Sequence, residues 1–172
     1  LLRIMGYSVY DTDSEAKRLM ESSLEVVQKL SECFGRDIYH NGRLNRGLLS
    51  SRVFGESDKI VLLNSIVHPV VRFDFYRWSE SLNEEICFVE SAILYESRFD
   101  ELVDEVWTVT APEELRIGRV RQRSGLTEEE IKKRMAAQLS EEEKQRRAAH
   151  IIWNDGNVSV IHRVLSLLKS LE

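Results

Sequence analysis

The 172-residue chain carries a net charge of −5, and 42% of its residues are hydrophobic and 31% charged. This length suits one domain with a sizeable core, and the composition is typical of a globular protein rather than a disordered one. The negative charge gives no electrostatic case for nucleic-acid binding, and no apolar run approaches the roughly 20 residues that span a bilayer. We therefore expect a cytoplasmic protein without nucleic-acid or membrane partners.

The first half of the chain predicts one strand followed by helices. A strand is expected over Ser8–Asp13, and then one helix in which apolar residues recur at spacings of three to five until Gly35. A polar loop follows over 36–46, and after it two or three short helices. His68-Pro69 predicts a break between helices at 60–67 and 70–82, because proline suits the first turn of a helix and not its interior.

The second half of the chain alternates strands with helices. The predicted strands cover 86–89, 106–110 and 151–153, and the predicted helices 112–122, 127–139, 141–149 and 158–171. This alternation predicts an α/β fold, a parallel sheet with helices on both faces and ligands bound beyond the carboxyl ends of the strands. We divide the chain into an α/β core (1–36, 84–111 and 150–172), a helical insertion without strands (37–83) and a second helical excursion (112–149).

Acidic residues follow two of the predicted strands. If Asp11 and Asp13 both belong to a strand, their side chains point to the same side, where they suit Mg²⁺ or the proton of a substrate hydroxyl. Glu90 directly follows the strand at 86–89 and suits a hydrated Mg²⁺. The structural alternatives are that Asp13 only caps the next helix, that Asp11 is a solvated turn residue and that Glu90 only faces water.

Other candidates are basic or lie in turns. Arg116, Arg119 and Arg123 share one face of a predicted helix, where they suit phosphate oxygens or form an ordinary solvated face. His68 suits an anionic or hydroxylated substrate, although a structural histidine fits the same position. Asn154-Asp155-Gly156 predicts a turn, and a turn at a strand end can also present backbone groups to an adenine edge.

The order of these segments along the chain resembles the dephospho-coenzyme A kinase family. The resemblance begins with a glycine, a short strand and an Asp-x-Asp pair, and it continues through motifs that the family writes D-G-x-L-x-R, L-x-x-I-x-H-P, D-x-P-L-L-F-E, V-x-A-P-E-E, R-x-x-x-R…A-A-Q and I-x-N-x-G. The corresponding segments here are Gly6–Asp13, Phe34-Gly35 with Asn41–Arg46, Val53–Pro69, Glu90–Glu96, Val109–Glu114, Arg119–Gln138 and Ile152–Gly156.

The resemblance implies a P-loop kinase fold and ATP-dependent phosphorylation of the ribose 3′-hydroxyl of dephospho-coenzyme A, the last step of coenzyme A synthesis. It implies that 37–83 is the substrate domain and 112–149 a lid, in a monomer or weak homo-oligomer. The resemblance implies that Asp13 is the catalytic base and that Asp11 supports it. Arg119 and Arg123 would contact the phosphates, His68 and Glu90 the substrate, and Asn154 and Gly156 the adenine. Glu90 would also bind magnesium through water.

The sequence departs from the family pattern in three respects. Ala92 stands where the family often has proline, and Glu90 replaces an aspartate. The family's phosphate-binding loop, Gly-x-x-x-x-Gly-Lys-[Ser/Thr], does not occur in these residues; we expect it to precede Leu1, and expect the chain as written to be inactive without it. The rival interpretations are a P-loop kinase for a nucleoside monophosphate or shikimate, and a non-catalytic α/β interaction module.

Overall fold

The computed structural model describes residues 1–171 and divides them into two compact units. The N-terminal unit covers Leu2–Ser91, and the C-terminal unit comprises Leu1 and the chain from Ala92 onward. Each unit contains one pair of parallel strands with helices packed around it. Among residues 1–171, none of the helices combines the length and the apolar composition that crossing a bilayer requires.

The N-terminal unit is built on strands β1 and β4, which pair in parallel. Four helices and a small antiparallel hairpin separate the two strands along the chain, and short 3₁₀ turns cover Leu2–Met5 and Arg36–Ile38. Its elements are β1 (Val9–Asp11), α1 (Thr12–Ser22), α2 (Leu24–Phe34), β2 (Tyr39–His40), β3 (Arg43–Leu44), α3 (Arg46–Val53), α4 (Ser57–Glu80) and β4 (Phe88–Glu90).

The C-terminal unit is built on a second parallel pair, β5 and β6, whose four residue pairs run from Trp107↔His150 to Thr110↔Trp153. Three helices connect these strands and one helix follows them, and a 3₁₀ turn at Phe99–Leu102 precedes β5. The elements are β5 (Trp107–Thr110), α5 (Glu113–Ser124), α6 (Glu128–Ala136), α7 (Glu141–Arg147), β6 (His150–Trp153) and α8 (Val160–Leu168).

Each unit has its own buried apolar residues. In α2 the buried positions are Val26, Leu30 and Phe34, a spacing of four that places them on one face of the helix. α8 likewise buries Val164, Leu167 and Leu168, while β6 contributes Ile152. Burial of such side chains is the main stabilising term of a fold of this kind, at about 25 cal/mol for each Å² of apolar surface removed from water.

The parallel strands and the alternation of strands with helices confirm the predicted α/β class, but three local predictions are wrong. The helix predicted from Asp13 to Gly35 is two helices, because Ser23 adopts an extended backbone and serves both as C-cap of α1 and as N-cap of α2. The break changes the phase of the apolar pattern, so that Leu24, predicted to face the core, is 87% exposed.

The second wrong prediction concerns His68-Pro69, which lies inside the single helix α4 rather than between two helices. Proline removes the hydrogen bond to the carbonyl of Ser65, four residues earlier. Both Pro69 and Ser65 are exposed, so water can satisfy the released carbonyl group. The helix therefore continues through a residue that usually ends one.

The third wrong prediction is the absence of strands between 37 and 83. Tyr39 and His40 pair with Leu44 and Arg43 in an antiparallel hairpin. Asn41 and Gly42 form its two-residue turn with φ values of 50° and 75°, and the Asn-Gly sequence favours this left-handed turn. The turn was predicted at this position, but the two-residue strands beside it are too short to give a period-two signal.

Candidate active site

The carboxyl ends of β1 and β4 bring two acidic residues together. The parallel register pairs Asp11 with Glu90, and the two strands end side by side. The hydroxyl of Thr12, the buried first residue of α1, donates a hydrogen bond of 3.0 Å to the backbone carbonyl of Glu90. This bond ties the start of α1 to the end of β4, so the relative positions of the two carboxylate-bearing backbones are fixed.

Asp11 is the N-cap of α1. Its carboxylate accepts hydrogen bonds from the backbone N–H groups of Asp13 (3.1 Å) and Ser14 (3.2 Å) and from the Ser14 hydroxyl (2.9 Å). Partial burial raises the pKa of Asp11, but these hydrogen bonds outweigh it and hold the pKa below its usual value. Asp11 is therefore a charged structural cap, with both oxygens already engaged.

Asp13 is not a strand residue and not the cap, which corrects the prediction that Asp11 and Asp13 share one side of a strand. β1 ends at Asp11, and Asp13 lies in the first turn of α1, where the helix dipole favours a negative charge. The Asp13 side chain is exposed, and within residues 1–171 its carboxylate accepts no hydrogen bond. Of the two acids, Asp13 is thus the one available to a ligand.

A buried tyrosine, Tyr10 of β1, connects that strand to α4. Tyr10, only 3% exposed, donates a hydrogen bond of 2.7 Å from its hydroxyl to Asp74 of α4, and its ring packs against Phe75 and Trp78. Burial and the Asp74 carboxylate raise the pKa of Tyr10, so the phenol stays neutral. Because Arg18 of α1 binds the same Asp74 carboxylate at 2.7 Å, this carboxylate links β1, α1 and α4.

His68 lies on α4, half-buried, and within residues 1–171 it makes no hydrogen bond with the acids at the ends of β1 and β4. Burial lowers the pKa of His68, so its imidazole is neutral at pH 7. A neutral imidazole donates one hydrogen bond and accepts another. It suits a hydroxylated or amide ligand better than it suits a phosphate.

The acidic residues fit a magnesium ion held mainly by water. Across residues 1–171, no group of three or more His, Cys, Asp or Glu side chains is arranged to hold a metal. Magnesium in kinases is usually held by one or two carboxylates together with waters and substrate phosphates. Glu90, the last residue of β4, has an exposed side chain and fits that limited role, although the sequence placed it after the strand; Asp11 has its oxygens occupied.

The predicted arginines all lie on α5 in the C-terminal unit, but their environments differ. Arg119 donates a hydrogen bond of 2.7 Å to the backbone carbonyl of Asn154, directly after β6. Arg123 lies one turn further along in the last turn of α5, exposed, and within residues 1–171 it has no hydrogen-bond or ion-pair partner. Arg116 binds Glu141 at 2.8 Å and the carbonyl of Ala111 at 3.0 Å, so it has a structural role.

Asn154-Asp155-Gly156 forms the predicted turn. The N–H of Asn154 continues the β5–β6 hydrogen bonding by donating to Thr110 at 2.7 Å, and Asp155 accepts the N–H of Asn157 at 2.9 Å. The hydrogen bond from Asn157 lowers the pKa of Asp155. Gly156 adopts a φ of 92°, which other residues rarely adopt, and a Cβ there would meet no atom within 4 Å. The turn thus presents open, exposed backbone next to Arg119.

Each unit therefore assembles part of the predicted set. The N-terminal unit brings Asp11, Asp13 and Glu90 to one strand edge, with His68 elsewhere on α4, and the C-terminal unit brings Arg119 to Asn154, with Arg123 and Gly156 close to them in sequence. Sequence reasoning missed the supporting residues Thr12 and Tyr10. A polar residue between two acids at a strand end was the available signal for Thr12, whereas the Tyr10–Asp74 pair joins residues 64 positions apart.

Comparison with known proteins gives a consistent result. The family model described as dephospho-CoA kinase matches residues 1–159. A dephospho-CoA kinase of Bacteroides fragilis is 37% identical over 172 residues, which cover 99% of this chain and 84% of the relative. A dephospho-CoA kinase of Salinibacter ruber is 39% identical over 162 residues, which cover 92% of this chain and 81% of the relative. A Thermus thermophilus crystal structure matches with a TM-score of 0.84 and 33% identity over 98% of this chain and 86% of that one. The dephospho-CoA kinase of Campylobacter jejuni, 23% identical over 99% of this chain and 89% of its own, shares the fold with a TM-score of 0.70.

Proposed function

The chain belongs to the dephospho-coenzyme A kinase family, and we propose that it transfers the γ-phosphoryl group of ATP to the ribose 3′-hydroxyl of dephospho-coenzyme A. The products are coenzyme A and ADP, in the last step of coenzyme A synthesis, which we place in the cytoplasm. The observation that carries the proposal is the family match over residues 1–159, because that range contains every residue assigned a role below.

In the N-terminal unit, Asp13 is assigned as the base that accepts the proton of the attacking hydroxyl. Its carboxylate is exposed and without a hydrogen-bond partner among residues 1–171, while the backbone that carries it is held by the Asp11 cap and by the bond from Thr12 to Glu90. A base needs both features, because proton transfer requires an open lone pair at a fixed position. Asp11 then acts through Asp13, by keeping the first turn of α1 in place.

The acceptor and the metal ion involve the other predicted residues of this unit. Magnesium bound with ATP would neutralise charge on the phosphates, and Glu90 is assigned to hold one of its waters. We assign the neutral imidazole of His68 to dephospho-coenzyme A, together with the helices and hairpin of 37–83, as the substrate domain. The pantetheine arm of that substrate carries amide and hydroxyl groups, which a neutral histidine can bind.

In the C-terminal unit, Arg119 and Arg123 are assigned to ATP. Guanidinium groups form charge-assisted pairs with phosphate oxygens, and Arg123 has no partner of its own within residues 1–171. Arg119 already reaches the turn at Asn154, and Gly156 leaves open space there, so this turn is assigned to the adenine edge. We propose 112–149 as the lid and 1–36, 84–111 and 150–172 as the nucleotide-binding core.

These assignments fit what phosphoryl transfer requires of a protein. The reaction needs little covalent chemistry from the enzyme and depends mainly on alignment of the two substrates and on neutralising the charge of the transferred group. The carboxylates of Asp13 and Glu90 and the guanidinium groups of Arg119 and Arg123 would provide those functions. The non-catalytic interpretation gives these exposed charges no role.

The test is an acceptor comparison with the protein expressed from its complete gene. ATP and Mg²⁺ are supplied with dephospho-coenzyme A, AMP or shikimate in parallel, and products are identified by mass spectrometry. We expect phosphorylation of dephospho-coenzyme A alone, with AMP and shikimate unchanged. Phosphorylation of AMP or shikimate in preference would overturn the substrate assignment, and no transfer to any acceptor would favour the non-catalytic module.

A further inference from the structure

Glu96 makes a contact that none of the roles above explains. Its carboxylate accepts a hydrogen bond of 2.5 Å from the backbone N–H of Leu139, 43 residues later. Leu139 lies in the four-residue connection between α6 and α7, where Ala137 closes α6 and Ser140 caps α7. An ionised acceptor makes this a charge-assisted hydrogen bond, one of the stronger kinds. The contact holds the point at which the helical excursion between β5 and β6 returns to the core.

The turn that carries Glu96 is itself fixed. The N–H of Ser97 donates to Ile93 at 2.9 Å, and that of Phe99 to Leu94 at 2.8 Å, while Phe99 is 1% exposed. Arg147, the last residue of α7, places its guanidinium 4.1 Å from the centre of the Tyr95 ring and binds Asp100 at 2.9 Å. The side chain of Glu96 therefore projects from a rigid support and not from a mobile loop.

α7 is attached along its length to three neighbours: the start of α5, strand β5 and the segment that follows Glu96. Glu141, in its first turn, binds Arg116 at the start of α5, and Gln145 donates to the hydroxyl of Thr110 at 3.2 Å. At the C-terminal end of α7, Arg147 binds Asp100. By contrast, α6 packs mainly against α5, and the Gly125 turn with a φ of 69° connects the two helices. The change from the attached helix α7 to α6 therefore falls in the connection that contains Gln138 and Leu139.

From these contacts we propose that Glu96 is a positioning residue that anchors the C-terminal pivot of the lid. The moving part is then the distal half of α5 with α6, which includes Arg123, and α7 belongs to the fixed base. Anchoring the pivot limits the conformations that the arginines sample before they meet ATP phosphates, so less entropy is lost on closure. The inference rests on the proposed function for its catalytic consequence, but the anchor itself is a property of the fold.

The experiment compares Glu96→Ala, which removes the acceptor, with Glu96→Gln, which keeps an oxygen acceptor without the charge. Glu129→Ala is the matched control, because Glu129 is an exposed acid on α6 that forms no hydrogen bond or ion pair among residues 1–171. Two readouts are taken from the complete gene product: the hydrogen-exchange rate of the Leu139 amide, and kcat/KM separately for ATP and for dephospho-coenzyme A. Thermal unfolding verifies that each variant is folded.

In Glu96→Ala we expect faster exchange at Leu139 and a roughly five- to tenfold lower kcat/KM for ATP, the size expected for one partly exposed charge-assisted hydrogen bond. The KM for dephospho-coenzyme A should change little, and Glu96→Gln should recover most of both losses. Unchanged exchange at Leu139, equal losses in Glu96→Ala and Glu129→Ala, or a Glu96→Gln variant as impaired as Glu96→Ala would each overturn the proposal.

The two proposals fail in different ways. If the wild-type protein forms no coenzyme A, the proposed function fails, and the exchange rate of Leu139 still decides whether Glu96 anchors the pivot. If the wild type is active and Glu96→Ala changes neither the exchange rate nor kcat/KM for ATP, the anchor is wrong and the proposed function stands.

Discussion

The β1–β4 pair and the β5–β6 pair are built alike, since each joins two parallel strands that lead into polar residues. The first pair ends in short acidic side chains, and α1 begins directly after Asp11, so the acids are fixed by the start of the helix. The second pair leads through Ala111-Pro112 into α5, and the two arginines proposed to bind phosphate, Arg119 and Arg123, are the seventh and eleventh residues of that helix. The same backbone arrangement thus carries short acidic side chains at the strand ends (Asp11, Asp13 and Glu90) in one unit and longer basic side chains on a helix in the other.

The two regions differ in which groups their hydrogen bonds engage. Around β1 and β4, the bonds of Asp11 and Thr12 hold backbone in place and leave Asp13 open. Around β5 and β6, Arg116 binds Glu141 and the Ala111 carbonyl, Arg119 binds one backbone carbonyl, and Arg123 has no hydrogen-bond or ion-pair partner within residues 1–171. The proposed roles require this difference, since a catalytic base acts from a fixed position and phosphate contacts neutralise charge on the transferred group.

The largest effect expected is that of Asp13→Asn. Loss of the proposed base should lower the rate of coenzyme A formation on the order of 10²- to 10⁴-fold. The free energy of unfolding should change little, because the side chain is exposed and unbonded within residues 1–171. Steady-state kinetics and urea unfolding check both expectations, with Glu25→Gln as a control at an exposed acid of α2. A fully active Asp13→Asn enzyme would remove the catalytic distinction between the two strand pairs.

The second effect in size is that of Arg123→Ala, for which we expect a loss of transfer rate on the order of a hundredfold, comparable with removal of one transition-state donor. Arg121→Ala is the matched control, since it removes the same group from the same helix two residues away. Kinetics at saturating and limiting ATP separate binding from chemistry. Equal losses in the two variants would mean that general charge on α5, and not Arg123 itself, assists the reaction.

Thr12→Val tests whether the hydrogen bond between Thr12 and Glu90 holds the ends of β1 and β4 together. The substitution keeps the shape of the buried side chain but removes its hydrogen bond to the Glu90 carbonyl, which should lower the free energy of unfolding by about 1 to 3 kcal/mol. Thr12→Ser retains the hydroxyl and should lose less. Urea unfolding measures both variants. Unchanged stability in Thr12→Val would contradict the view that this bond joins β4 to α1.

The smallest effect expected is the pH dependence that His68 adds to stability. Burial lowers the pKa of His68 in the folded state, so the unfolded chain binds a proton more readily. The folded state should therefore lose stability as the pH falls below about 6.5, the ordinary pKa of histidine, and keep it fully above that value. Urea unfolding at pH 7.5 and 5.5 should show a smaller pH difference in His68→Gln. An identical difference in both proteins would show that other groups cause it.

Local sequence signals were sufficient for many elements. The capping box formed by Thr127 and Glu130, the helix end at Gly35 and the Asn41-Gly42 turn all depend on residues that are neighbours in the sequence, and the helix end at Gly35 was predicted and is confirmed. The strand at 106–110 was predicted within one residue of β5. The α/β class followed from the order of these elements, and the family from motifs spread over the whole chain.

Other features depend on tertiary contacts that no local pattern contains. α1 ends at Ser23, whose extended backbone also begins α2, and α4 continues through Pro69 at a point where Pro69 and Ser65 are both exposed. The exchange of roles between Asp11 and Asp13 followed from where β1 stops, a boundary that propensity places only approximately. The Glu96–Leu139 bond joins residues 43 positions apart, so it became visible only in three dimensions.

The most direct measurement of the central claim places the new phosphate on the product. The protein from its complete gene is incubated with Mg²⁺, dephospho-coenzyme A and ATP labelled with ¹⁸O in the γ-phosphate, and the product is fragmented by mass spectrometry. We predict that the label is found in the non-bridging oxygens of a phosphate attached at the ribose 3′ position of coenzyme A, whereas the bridging 3′-oxygen comes unlabelled from the acceptor. Label on any other position of the acceptor, or label released only as inorganic phosphate, would contradict the proposed reaction.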